Sequence, residues 1–419
     1  MINDSAMLKL KRVKYESSGE RYSLLTGSDG LPLWYPTLFA TSQLRNAAKA
    51  PNTIEAHLNA IKLLFEWTNS NEIDLKQSFS TMKFLTVEQI ESLCSYLKQD
   101  RSQRVKSNAI PIMMAKKERN RASLTQRKTV AKQTYYIRIS YITDYLEWFA
   151  KRALSERKII ISREISHLIS EMIRSLKARR PTRSVNQRNA PRGLSESQRE
   201  LLLSVCDPKS PNSPFSSQTR ERDCLIVEIL YQTGVRLGEL LSIKISDLNF
   251  QENTLLIARR HDDVDDPRIK QPVAKTLDRL LPLSRGLSQR MHDYILRDRS
   301  LIKGANRHEF LFITYKSGPH CGTPLSTSAI YSIINRITSY IDCLSELTPH
   351  ILRHTWNDRF SEKADEQSLD QAEEEKLRSY LMGWKEGSGT SATYTRRHIE
   401  KEAHRVGLLL QGVKDNEKN

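Results

Sequence analysis

Thr348-Pro349-His350-Ile351-Leu352-Arg353-His354 sets a histidine and an arginine three residues apart, just after a proline suited to the first turn of a helix. Positions i and i+3 share a helical face, so His350 and Arg353 can address one small object together. A permanent cation beside a group that passes protons near neutral pH is a pair fitted to a phosphate. Taken alone, the same residues also read as an ordinary capped helix with a surface His and Arg. A second constellation, Thr233-Gly234-Val235-Arg236-Leu237-Gly238-Glu239-Leu240, puts Arg236 between a helix stop and a new helical start. Its guanidinium would project from a tight turn, unless it is simply a surface arginine at a helix–turn–helix corner. A third begins at Met382-Gly383-Trp384 and runs through a Gly/Ser/Thr-rich link to Tyr394-Thr395-Arg396-Arg397. Tyr394, among small polar residues and two arginines, fits a reachable phenol beside an anion site; the alternative is a plain surface tyrosine.

Composition suggests which anion. The 419 residues include 66 Lys and Arg against 49 Asp and Glu, a net charge of +17 with a pI near 9.6. That excess argues for a polyanionic partner, most simply nucleic acid. No apolar run approaches the roughly 18 to 20 residues that a membrane span needs. The N-terminus lacks a signal-peptide core, and no lipidation signal is present. The expectation is a cytoplasmic protein, nucleoid-associated when on DNA, with no membrane partner. Cys94, Cys206, Cys224, Cys321 and Cys343 are odd in number and scattered, which fits reduced thiols better than disulfides or zinc.

Several elements must position these residues. Residues 1–36 form an N-terminal extension of unclear role; KLKRVKYE and RYSLLTG could make a hairpin of poor alternation, and Trp34-Tyr35-Pro36 breaks the pattern. Residues 37–176 read as a helical core DNA-binding domain. There Asn52 with Glu55, and Thr86 with Gln89, are capping boxes. Ile54, Leu58, Ile61 and Phe65 make one apolar stripe, and Tyr135, Ile139, Ile142, Leu146 and Phe149 another. Within it, residues 101–138 carry eleven cations, from Arg101 to Arg138, against the single acid Glu118. Such a run suits contact with a phosphate backbone. Residues 177–193 form a basic interdomain linker, extended and without an acid. The catalytic domain spans 194–412, with a tail at 413–419. It opens with the Ser195/Gln198 capping box; a helix stopped by Gly234 follows, then strands at 254–260 and 279–284. FLFIT (310–314) is a third strand or buried core, and a long helix covers 326–341. The fold class is mainly α, with a small β-sheet in a mixed α/β C-terminal domain.

The order of the motifs carries more than any one residue. TGVRLGELLSIKISDL, then a hairpin lysine, then TPHILRHTW, MGW and Tyr394 resemble the tyrosine recombinase (phage integrase) family over residues 194–412. The resemblance implies a core-binding domain followed by a tyrosine-recombinase catalytic domain. It implies Tyr394 as nucleophile, forming a 3′-phosphotyrosyl link to DNA. Arg236 and Arg353 would hold the nonbridging oxygens, with His350 as proton partner and Trp384 where the family has His or Trp. The hairpin lysine, which protonates the departing 5′ oxygen, best matches Lys275, with Lys270 as runner-up. Fixed positive charge and a positioned proton acceptor are what phosphoryl transfer to a phenol requires. Two arginines supply charge that a metal supplies elsewhere, so no cofactor or metal ligand is implied.

By the same resemblance the partners are double-stranded DNA carrying specific sites and a homo-tetramer on that DNA, held in part by the C-terminal helix. Accessory proteins are a further expectation. The function implied is integration or excision of a mobile element through a Holliday junction. A type IB topoisomerase-like enzyme and a noncatalytic DNA-binding regulator of the same fold are the rivals; the TGxRxGEL turn disfavours the first, and the filled site positions the second. Two stretches depart from the family's pattern. HDDVDDPRIKQ (261–271) lengthens the hairpin and reads as a solvated acidic loop facing away from DNA. EKADEQSLDQAEEEK (362–376) lengthens the segment before Trp384.

Overall fold

Strand β1 (Lys9–Lys14) pairs antiparallel with β2 (Arg21–Thr26), Lys9 opposite Thr26 and Lys14 opposite Arg21. In the computed structural model the described residues are 8–100, 129–182, 193–274, 276–385, 403, 406–408 and 410–411. The chain divides into two compact units, Met1–Lys14 with Arg21–Val185, and Tyr15–Glu20 with Asn186–Asn419.

In the first unit the hairpin leads into α1 (Trp34–Phe39), α2 (Pro51–Ser70), α3 (Leu75–Ser80), α4 (Val87–Leu97), α5 (Lys132–Glu156) and α6 (Arg163–Ala178). Trp34-Tyr35-Pro36 ends the strand pattern as expected and starts a helix, since a proline in the first turn has no intrahelical N–H to lose. The same rule overrides the Asn52 cap: α2 begins at Pro51, and Ala50 is its N-cap. The Thr86/Gln89 capping box forms as expected. Helix α5 is the central element, with Tyr135, Ile139, Ile142, Leu146 and Phe149 all buried. They meet Leu58 and Ile61 of α2 and Phe79 of α3, and the core also takes in Leu8 and Leu25 from the N-terminal extension. Of the basic run, residues 101–128 lie outside the described residues, as do 183–192 of the linker. Arg138 has an internal role instead: Nη1 donates to the carbonyls of Leu97 (2.7 Å) and Gln99 (3.1 Å), closing the C-terminal end of α4.

The second unit begins at α7 (Glu196–Val205), capped by the expected Ser195/Gln198 box. It continues through α8 (Arg220–Thr233) and the single turn α9 (Leu237–Leu240) to a sheet of β3 (Leu248–Asn249), β4 (Thr254–Ile257) and β5 (Arg279–Pro282). The sheet is antiparallel, with Leu255 opposite Leu281 and Ile257 opposite Arg279. Helices α10 (Arg285–Asp293), α11 (Thr327–Tyr340), α12 (Pro349–Glu366) and α13 (Gln371–Met382) complete it. Residues 310–313 are core chain rather than a sheet strand: Phe310, Leu311, Phe312 and Ile313 are buried, and their pairing is limited to isolated bridges to Lys244 and Pro324. No helix among the described residues is long and apolar enough to cross a membrane.

The acidic hairpin loop is only partly solvated: Asp265 is exposed, but other carboxylates turn inward. Asp266 is fully buried and pairs with Arg268 at 2.7 Å. Arg268 also donates to the carbonyls of Leu241 (3.0 Å) and Leu325 (2.7 Å). Asp263 pairs with Lys244 at 2.9 Å. Buried carboxylates need compensating charge: Asp263 finds it in Lys244, outside the loop, and Asp266 in Arg268 of the loop itself, whose ties to Leu241 and Leu325 staple the loop down. The second acidic stretch is likewise partly internal, with Glu374 buried against Arg378 and Glu362 paired to Arg199 at 3.0 Å.

Candidate active site

Helix α12 begins as the sequence predicts. Thr348 is the N-cap, its hydroxyl accepting from the Ile351 amide at 3.1 Å, and Pro349 is the first helical residue. His350 in that first turn is exposed, whereas Arg353, one turn on, is 2% exposed. The buried guanidinium is held by two carbonyls, Nη1 to Gly234 O at 2.6 Å and Nη2 to Met382 O at 3.2 Å. Two acceptors on different elements fix the plane of a guanidinium, which a single point charge would not allow. His354 is buried, and its ring meets that of His350 edge-on, with centroids 4.3 Å apart.

Gly234 is the other half of that anchor. It ends α8 in the left-handed conformation (φ 63°), and a Cβ there would lie 2.7 Å from Cγ of Trp356. Glycine is required on both counts. Gly234→Ala is expected to cost about 1–3 kcal/mol of stability, from left-handed strain plus overpacking. A smaller fall in the urea midpoint, at unchanged slope, than half a kcal/mol corresponds to would contradict the close packing.

Arg236 follows two residues later as the N-cap of α9. Its side chain is about one-third exposed, with Nη1 3.5 Å from Met382 O and 3.6 Å from Glu239 Oε1. Arg236 and Arg353 therefore converge on the same carbonyl, at the C-terminal end of α13. Gly383 turns the chain there (φ 63°), and Trp384 packs with Met382 and Trp356, its ring 5.6 Å from Cζ of Arg353. That contact is a cation–π arrangement. Arg236, Arg353 and Trp384 are thus gathered at one place, with His350 a helical turn from Arg353. Lys275 and Tyr394 lie outside the described residues. Lys275's chain neighbours Ala274 and Thr276 are buried, at 2% and 4% exposed, whereas the runner-up Lys270 is exposed.

Beneath the arginines lies a charged pair that the motif reading did not single out. Glu239, 1% exposed, accepts from the Arg236 amide at 2.9 Å, from the Thr276 hydroxyl, and from Arg279 Nη2 at 2.8 Å. Burial pushes its carboxyl up, but the charge and hydrogen bond of Arg279, helped by Thr276, outweigh this and hold it below the ordinary carboxylate range. The clue was present in RLLPLS: Arg279 alternates with Leu280 onto the same inward face as Leu281.

The region that holds these residues matches a family model. The model, described as the phage integrase family, covers residues 192–401, half of the chain. The chain belongs to the phage integrase family. It is similar to transposase A from transposon Tn554 of Staphylococcus aureus, 22% identical over 349 residues that span 83% of this chain and 85% of that one. It is also similar to tyrosine recombinase XerC of Roseiflexus castenholzii, 27% identical over 191 residues, 44% of this chain and 52% of the relative. Among solved structures, the Tn1549 transposon integrase in complex with transposon right end DNA aligns with 14% identity and a TM-score of 0.45, over 87% of this chain and 98% of that one. The chain is a tyrosine recombinase by family, mainly helical with small antiparallel sheets.

Proposed function

We propose that the chain is a site-specific recombinase that cleaves and rejoins double-stranded DNA through a covalent 3′-phosphotyrosyl intermediate and a Holliday junction, moving a mobile element in or out of its site. The observation that carries this is the convergence of Arg236 and Arg353 on Met382 O beside Trp384, within the region matched by the phage integrase family. In this reading the Tyr394 oxygen attacks phosphorus as the bond to the 5′ oxygen breaks. The phenolic proton passes to His350, and Lys275 gives a proton to the departing oxygen. Arg236 and Arg353 stabilise the charge that grows on the nonbridging oxygens. The covalent link conserves the phosphodiester's bond energy, so attack by a 5′ hydroxyl reseals DNA without ATP. Lys275 is favoured over Lys270 because it better matches the family's hairpin lysine by its distance from the second strand.

The test is a suicide substrate, a nicked DNA site whose cleaved end diffuses away. The native chain should accumulate a covalent adduct mapping by peptide mass to Tyr394. No adduct on any site of the element would defeat the reading, and relaxation of plasmids lacking a site would favour a topoisomerase. Assembly as a tetramer is part of the proposal. Val406 and Leu410, four residues apart and so on one face of the C-terminal helix, are 46% and 85% exposed, which supports docking on a neighbouring copy. Deleting residues 399–419 is expected to cut recombination at least about tenfold, with single-site binding changed by under about threefold; tenfold corresponds to only some 1.4 kcal/mol of lost contact. Equal loss in a gel-shift titration would count against it.

A further inference from the structure

We propose that Arg279 is a positioning residue for the leaving-group acid: it fixes residues 276–277, which follow Lys275 in the chain, against both the Arg236 turn and the end of α13. The proposal rests on the site reading given above. The side chain of Arg279 is 1% exposed, and its donors reach three separate pieces of chain. Nε donates to Leu381 O at 2.7 Å, on the last turn of α13. Nη1 donates to the Thr276 hydroxyl at 3.1 Å and to Leu277 O at 3.5 Å, both immediately after Lys275. Nη2 pairs with Glu239, the residue that also accepts from the Arg236 amide.

The packing around this guanidinium is tight. A Cβ on Gly383 would lie 2.6 Å from Arg279 Nη1, so the turn before Trp384 rests directly on it. The Leu277 amide donates to Gly383 O at 3.0 Å, a second tie between the same two pieces. Thr276 closes the network, its hydroxyl donating to Glu239 while accepting from Arg279. A planar fork serving four acceptors on three pieces of chain cannot be replaced by an ammonium, which would keep the charge opposite Glu239 and lose the geometry. A general acid works only within hydrogen-bond reach of its oxygen, so slack in residues 276–277 would act on proton donation first.

Arg279→Lys and the milder Thr276→Val separate these roles. Each is compared with the native chain in single-turnover cleavage of two suicide substrates, one with the natural 5′ oxygen at the scissile phosphate and one with sulfur there. An alkyl thiol ionises roughly seven pH units below water, so the sulfur leaves as a thiolate with no proton. On the oxygen substrate Arg279→Lys should be about 30-fold slower and Thr276→Val about fivefold slower, partial losses that stay below the roughly 10²–10⁴-fold a positioned acid contributes in full. On the sulfur substrate both should fall within about twofold of the native rate, with DNA affinity unchanged. Equal losses on both substrates, or no loss on the oxygen substrate, would overturn the proposal; if Arg279→Lys melts early, Thr276→Val decides. Two controls isolate the underlying reading. An adduct that survives Tyr394→Phe sinks the site assignment itself. Absence of that adduct, with Lys275→Ala rescued by sulfur but Arg279→Lys and Thr276→Val not rescued, sinks only the role of Arg279.

Discussion

Tyr394→Phe should abolish covalent capture of a suicide substrate, lowering single-turnover adduct formation by at least about 10⁴-fold, the scale on which an enzyme loses its nucleophile. The substitution removes one oxygen and keeps the ring, so affinity for uncleaved DNA should change by less than about threefold, under 1 kcal/mol. This contrast separates a nucleophile from a tyrosine that merely touches the backbone, whose loss would weaken binding and cleavage together. The structure also supplies an internal rival. Tyr380, on α13 and 58% exposed, is another phenol in the segment leading to Trp384. An adduct that persists in Tyr394→Phe and disappears in Tyr380→Phe would move the nucleophile there and overturn the assignment.

How much of this was legible in the sequence depended on the range of each interaction. The capping boxes at Thr86 and Ser195, the helix stop at Gly234 and the Thr348–Pro349 start of α12 are set by neighbours within four residues, and the structure shows each of them. The Asn52 cap failed for an equally local reason, because a proline one residue earlier pre-forms the first turn. Glu239 and Arg279 were quoted inside their motifs but given no role, since their bond joins positions 40 apart. The acidic loop was misread in part for the same reason. Counting charges at 261–266 cannot reveal that Lys244 reaches Asp263 from outside the loop, or that Arg268, two residues from Asp266, is tied to the carbonyls of Leu241 and Leu325. Arg353 lay between these cases: its type and spacing suggested a phosphate contact, while its burial and its ties to Gly234 and Met382 needed the fold.

Those ties give the second large effect, in Arg353→Lys. A lysine keeps the charge but cannot donate in one plane to Gly234 O and Met382 O, two acceptors contributed by the ends of α8 and α13. Cleavage should fall about 10²–10³-fold, the loss seen when one preorganised donor is removed from a developing oxyanion. Stability should fall as well, by about 1–3 kcal/mol, because at least one buried carbonyl loses its donor. Arg236→Lys provides the comparison. Its side chain is about one-third exposed and its carbonyl contact is the longer one, 3.5 Å, so it should cost a similar factor in cleavage with little loss of stability. Urea midpoints and single-turnover rates, measured on the same preparations, resolve the two effects. If Arg353→Lys lowers the midpoint but cleaves within about threefold of the native rate, Arg353 is a strut between helix ends and the phosphate must be held elsewhere. If both variants lose cleavage while only Arg353→Lys loses stability, the two arginines share one chemical task from two different structural footings.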